Sequence, residues 1–173
     1  AQPADVRVAL VSFAGSAAIL QPATRNRDDV IAAIDRLELQ RHTATGTGIL
    51  TSLAAVFPEQ ADEFTAANVP GGMARMFADQ QGRSLDAAPS APKKAFSPVA
   101  PGSYKSAAII LLTDGRRTTG PDPMDAARMA ADRGVRIYTV GFGTAEGAPV
   151  SFDGWSIYMR FDEDALKGIA DIT

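Results

Sequence analysis

No cysteine occurs in the 173 residues. Disulfides, thiolate metal sites and cysteine nucleophiles are thereby excluded, and the absence suits a cytoplasmic or a periplasmic setting alike. There is one histidine, His42, and one tryptophan, Trp155. A serine–histidine–aspartate relay would have to use His42, and no G-x-S-x-G elbow accompanies it. The H-E-x-x-H spacing and its kin are missing too. No apolar run approaches the roughly 18 residues that read as a membrane span. Basic residues gather only as pairs, Lys93–Lys94 and Arg116–Arg117, and 17 Lys and Arg stand against 20 Asp and Glu, a net charge of -3. Such a balance points away from nucleic acid. The opening AQPAD has neither the basic end nor the apolar core of a signal peptide. It carries no initiator methionine, so the sequence reads as a piece of a longer protein.

What remains is an ordinary globular balance, 46% hydrophobic and 21% charged, in a length that predicts one domain. Residues 6–13 (VRVALVSF), 107–113 (AAIILLT) and 135–142 (VRIYTVGF) are short and rich in β-branched and apolar residues, which predicts strands buried on both faces. Residues 17–20 can return as an antiparallel edge strand after the turn at 14–16. Asn26 is placed to cap a helix carrying Val30, Ile31, Ile34 and Leu37 on one face. A second helix follows the loop at 41–46, with Ile49, Leu50, Leu53, Val56 and Phe57 on one side and Pro58 as its stop. Asp122–Pro123 starts a third helix and Gly134 ends it. Residues 150–161 suggest a hairpin in which Trp155 and Tyr158 cover the sheet edge, and Asp162 caps a last helix with Leu166 and Ile169. Strands alternating with helices predict an α/β fold: a doubly wound, mostly parallel sheet with helices on both faces and one antiparallel edge strand.

Between residues 58 and 106 this pattern fails. Six prolines fall there (Pro58, Pro70, Pro89, Pro92, Pro98 and Pro101) among Ala, Ser and Gly, and only residues 73–79 suit a helical turn. The stretch reads as an inserted, partly disordered excursion.

In doubly wound sheets ligands bind at the carboxyl ends of strands. There the sequence places Asp114, in LLTDG, at the end of a buried strand. Its carboxylate suits a hard cation such as Mg²⁺, which takes oxygen ligands, or simply orders its own loop. The TATGTG run at 43–48 offers hydroxyls and glycines at a helix start, for an anion or a metal-bound ligand, or plain capping by Thr45 or Thr47. The glycine-rich GFGTAEG at 141–147 is no dinucleotide loop, because it follows the wrong strand, its third glycine is one place late and Pro149 blocks an immediate helix.

Taken together, residues 6–21 (VRVALVSFAGSAAILQ), 41–50 (RHTATGTGIL), 111–123 (LLTDGRRTTGPDP), 133–143 (RGVRIYTVGFG) and 161–173 (FDEDALKGIADIT) resemble, in order, a bacterial von Willebrand factor A (VWA) domain. The resemblance is to the membrane-anchored Bat (aerotolerance) group and covers nearly everything except the insertion. It implies a single domain over 1–173. It also implies a metal-ion-dependent adhesion site in which a divalent cation, usually Mg²⁺, is held by an Asp-x-Ser-x-Ser motif, a threonine and an aspartate, and is completed by a partner's carboxylate. By motif position Thr43 is the threonine and Asp114 the aspartate. No Asp-x-Ser-x-Ser occurs in the sequence. Residues 6–13 already match the family's second strand, so the first strand and its motif are expected upstream.

The reading is therefore a protein-interaction module, not an enzyme, whose parent grips an acidic residue of its partner. The parent is expected in the bacterial envelope, anchored by membrane segments outside this chain, with a MoxR-type AAA+ ATPase system as a partner by analogy. Thr43 and Asp114 alone supply too few oxygens, which predicts weak or absent metal binding by these 173 residues. A missing central strand predicts open sheet edges and strand exchange between copies. The rivals are a structural module without metal and a hydrolase or phosphotransferase built on Asp114.

Overall fold

The computed structural model describes residues 5–68, 96–113, 116–142, 148–152, 155–159 and 162–173. In chain order these form strands β1 (Val8–Phe13) and β2 (Ala17–Thr24), helices α1 (Arg27–Ile34) and α2 (Thr45–Val56), a 3-10 turn (Pro58–Gln60), helix α3 (Ala61–Ala67), strand β3 (Ala108–Thr113), helix α4 (Pro123–Asp132), strands β4 (Arg136–Gly141), β5 (Ala148–Phe152) and β6 (Trp155–Met159), and helix α5 (Glu163–Ile172). β1 and β2 pair antiparallel, with Phe13 opposite Ala17 and register shifts beyond Val11. Pro22 lies in the shifted stretch. Lacking an N–H, proline is tolerated at just such an edge or irregularity. β3 and β4 pair parallel, Ala108 opposite Arg136 through Thr113 opposite Gly141, and α4 is the crossover a parallel pair requires. β5 and β6 form the expected hairpin. The architecture is α/β and Rossmann-like.

Helix starts follow local chemistry. Asn26 accepts from the Asp28 N–H, Asp122 from the Met124 N–H at 2.8 Å with Pro123 behind it, and Asp162 from the Ala165 N–H. Each satisfies one of the donors that a helix start leaves free. At the far end of α4, Gly134 takes φ +70° and donates to the Ala131 carbonyl, a left-handed ending that glycine adopts without a Cβ clash.

The core joins Ile49, Leu50 and Leu53 of α2, Phe64 of α3, Ile109 and Leu111 of β3, the alanines of α4, Val135 and Ile137 beside and within β4, and Leu166 and Ile169 of α5. Two sequence expectations are corrected here. Among the described residues strands β3 and β4 are covered on one face. Among the described residues α2, α4 and α5 gather on the side of Ile109, Leu111 and Ile137, while Ile110, Leu112 and Tyr138 are 61%, 51% and 54% exposed. A run of apolar residues records what a strand is fit to bury, whereas the second cover must come from another element. β1 likewise has no fully buried residue. β1 and β3 both lie against α2, yet among the described residues β1 pairs only with β2 and β3 only with β4.

Regular structure also runs further than the prolines suggest. Pro58 opens the 3-10 turn, a position where its missing N–H costs nothing, and α3 carries Phe64 into the core at 1% exposure. Residues 73–79 lie outside the described residues. From residue 96 the chain returns along the α4–β4 corner: the Val99 N–H donates to the Asp132 carbonyl and the Tyr104 N–H to the Gly134 carbonyl.

One buried cation ties these parts together. The Arg133 side chain is 3% exposed. Its guanidinium donates to Gln60 Oε1 at 2.9 Å and to the Met129 carbonyl, pairs with Glu63 at 2.7 Å, and stands 4.6 Å from the Phe64 ring centroid and 4.3 Å from that of Phe96. An arginine withdrawn from water requires such compensation. It holds α3 and residue 96, the two ends that flank residues 69–95, against the end of α4.

α2 packs closely enough to exclude side chains. A Cβ on Gly46 would stand 2.4 Å from the Pro121 carbonyl oxygen, and one on Gly48 would meet the Phe13 ring at 2.9 Å. Gly46→Ala is expected to lower stability by about 1–3 kcal/mol, since the obstacle is backbone. Gly48→Ala is expected to cost less, since a ring can tilt and alanine favours helix. Urea titration of both variants checks the order. Arg133→Ala, which removes two cation–π contacts and the hydrogen bonds of a buried guanidinium, is expected to cost about 2–4 kcal/mol. Glu63→Gln, at a half-exposed acid, should cost under about 1 kcal/mol by the same measurement.

Candidate functional site

The loops that meet at the carboxyl ends of β1 and β3 are clasped by hydrogen bonds. The Ala44 N–H donates to the Ala14 carbonyl at 2.7 Å, just past β1. The Thr43 N–H donates to Thr118 Oγ1 at 2.8 Å, and the Thr118 N–H returns to the Thr43 carbonyl at 3.0 Å. Gly120 takes φ +79°, and a Cβ there would meet Thr47 Oγ1 at 2.8 Å. The loop after β3 therefore lies directly on the first turn of α2. His42, at φ 73°, turns the chain into this clasp and is itself exposed.

Thr43, half-buried, thus stands at the strand edge where the sequence places it, beside the loop that follows Thr113. Asp114 lies outside the described residues. Thr45 and Thr47 do not cap α2, contrary to the capping expected of one of them. Ala44 occupies the cap position with no side-chain bond, and both threonines are buried at 4% and 7% exposure. Close packing of the 116–122 loop has replaced capping as what holds this helix start.

The donor set for a metal is incomplete within these residues. Among the described residues no group of three or more His, Asp or Glu side chains lies close enough to hold an ion. Thr43 offers one hydroxyl, whereas Mg²⁺ asks for six oxygens in near-octahedral array.

Beside the clasp a cleft of about 230 Å³ opens between α4 and α5. Met124, Leu166 and Ile169 line it, and Arg116 and Arg117 stand on it. No sequence spacing pointed to this cleft or to Thr118, because the contacts join residues far apart: Thr43 and Thr118 are 75 positions from each other. The doubled arginine was the one visible trace, and alone it reads as solvated surface.

Comparison with known proteins follows the same lines. The model of the von Willebrand factor type A domain matches residues 75–151. A UPF0353 protein of Mycolicibacterium vanbaalenii is 33% identical over 97% of the chain and 41% of its own length. One of Nocardia farcinica is 33% identical over 97% of the chain and 44% of its own length. The chain therefore spans less than half of these relatives. Among solved structures, BatB of Bacteroides thetaiotaomicron aligns at a TM-score of 0.59 with 20% identity, covering 96% of this chain and 66% of that one. An aerotolerance-related membrane protein of Bacteroides fragilis aligns at 0.57 with 19% identity, covering 96% and 67%. At such identities these two speak to the fold. The domain model over residues 75–151, the UPF0353 relatives and the fold shared with BatB together support a von Willebrand factor type A domain of the bacterial kind.

Proposed function

We propose that this domain is a protein-interaction module, not an enzyme, and that partners engage it at the clasped loops on the carboxyl edge of β1 and β3. The observation that carries the reading is the Thr43–Thr118 clasp, which sets the threonine loop beside the strand end that leads into Asp114. In this reading the intact parent holds Mg²⁺ or another divalent cation with Thr43, Asp114 and an Asp-x-Ser-x-Ser supplied from outside these residues. An acidic side chain of the partner completes the coordination. The parent is membrane-anchored in the bacterial envelope. The naming of the similar Bacteroides fragilis structure as an aerotolerance-related membrane protein supports that placement. Among the described residues no helix is long and apolar enough to cross a membrane, so the anchor is assigned to other parts of the parent. A MoxR-type ATPase system is the proposed partner.

The same reading supplies the second half of the fold. One further parallel strand enters between β1 and β3 and makes the sheet doubly wound. The shared packing of both strands on α2, with no ladder between them among the described residues, supports this. When that strand is lacking, copies of the chain exchange strands at the same edges.

Isothermal titration tests the metal assignment. The full-length parent is expected to bind Mg²⁺ or Mn²⁺, and Asp114→Ala to abolish the heat. The 173-residue chain should show weak binding or none, and micromolar affinity there would overturn the assignment of the remaining ligands to other segments. If the parent binds no divalent ion, the domain is a structural module. Hydrogen exchange tests the added strand: the amides of β1 and β3 should be protected in the parent and should exchange faster in the isolated chain. Equal protection would refute the insertion.

A further inference from the structure

The cleft between α4 and α5 has a built chemistry of its own. Its lining is part apolar: Ile169 is fully buried and Leu166 is 7% exposed, and the buried Thr45 and Thr113 line it with them. Its volume of about 230 Å³ falls below the roughly 300–1,000 Å³ typical of small-molecule sites and suits one amino-acid side chain. Its mouth carries two acids and two arginines, and these are unequally engaged. Asp122 and Asp162 cap α4 and α5 through the Met124 and Ala165 N–H groups. Arg117 donates through Nη1 to the Gly120 carbonyl at 3.0 Å. Arg116 reaches Asp162 only at 4.0 Å, with its side chain 81% exposed. A guanidinium carries five N–H donors, so both arginines keep donors beyond these contacts.

We propose that this cleft is a second, metal-independent contact for the protein partner: it receives an apolar side chain, while a neighbouring carboxylate of the same segment pairs with Arg116 and Arg117. The inference rests on the interaction-module reading and adds to it the class of segment recognised, an acidic residue next to an apolar one. Recognition of the carboxylate requires no ion at Thr43 or Asp114.

The test follows the methyl resonances of Leu166 and Ile169 in the 173-residue chain, in EDTA, as acetyl-Leu-Glu-amide is added. Saturable shifts are expected. The neutral acetyl-Leu-Gln-amide should bind about two- to fivefold more weakly, as should the peptide with charge when added to Arg116→Gln/Arg117→Gln, the scale of exposed ion pairs. Arg116→Gln alone, at an exposed side chain, guards against a double variant that misfolds and should show part of the loss. Equal binding of the two peptides, unchanged binding by the arginine variants, or no shift at all would overturn the proposal. The metal reading is separated by Asp114→Ala and added Mg²⁺. Shifts that persist in EDTA and in Asp114→Ala uphold the cleft whatever becomes of the metal. Shifts that appear only with Mg²⁺ and vanish in Asp114→Ala uphold the metal site and refute the cleft.

Discussion

Helix α2 begins with its first six residues, Thr45 to Leu50, buried, and much else depends on that burial. A helix start withdrawn from water must either be capped by side chains or be covered by chain that leaves no room for solvent. Here the cover is the loop after β3, seated so closely that position 46 admits no side chain and position 120 requires a left-handed backbone. The same helix presents Ile49, Leu50 and Leu53 to the core and Gly48 to the Phe13 ring. Its contact with both β1 and β3 brings together two strands that share no ladder among the described residues. The site at the carboxyl edge is a consequence of this seating.

Arg133 performs the corresponding task at the opposite end of α4. It draws α3 and Phe96 onto one guanidinium, so two segments far apart in sequence are held at a single point. The buried hydroxyl of Thr173 acts on β4 in turn, accepting from the Ile137 N–H at 3.0 Å and donating to the Ile169 carbonyl. α5 is thereby fastened beside the cleft.

The clasped loops and the cleft between α4 and α5 differ in physical character. Around Thr43 the backbone is committed to holding loops together and the free chemistry is hydroxyl. Around Arg116 and Arg117 two guanidiniums and two acids stand over a floor that is part hydroxyl and part hydrocarbon. A partner that satisfies both must present oxygen and hydrocarbon side by side. That demand is more selective than either region alone, because a buried polar or charged group left unmatched is costly.

Much was legible in the residues themselves because it depends on local chemistry. The capping by Asn26, Asp122 and Asp162, the stop at Pro58, the ending at Gly134, the parallel pairing of two apolar strands through a helix and the hairpin near the end all follow from periodicity and turn residues. The placement of Thr43 at a strand edge followed from the alternation of strands and helices. Other features were decided only in three dimensions. Phe64 entered the core from a proline-rich stretch because burial outweighs composition. Ile110 and Leu112 stayed open because an apolar strand cannot specify what covers it. The caps expected of Thr45 and Thr47 gave way to a loop arriving from more than 70 positions away. Propensity acts over a few residues and is written in them. Which distant surfaces meet, and therefore where a cleft forms, depends on packing the whole set of elements together.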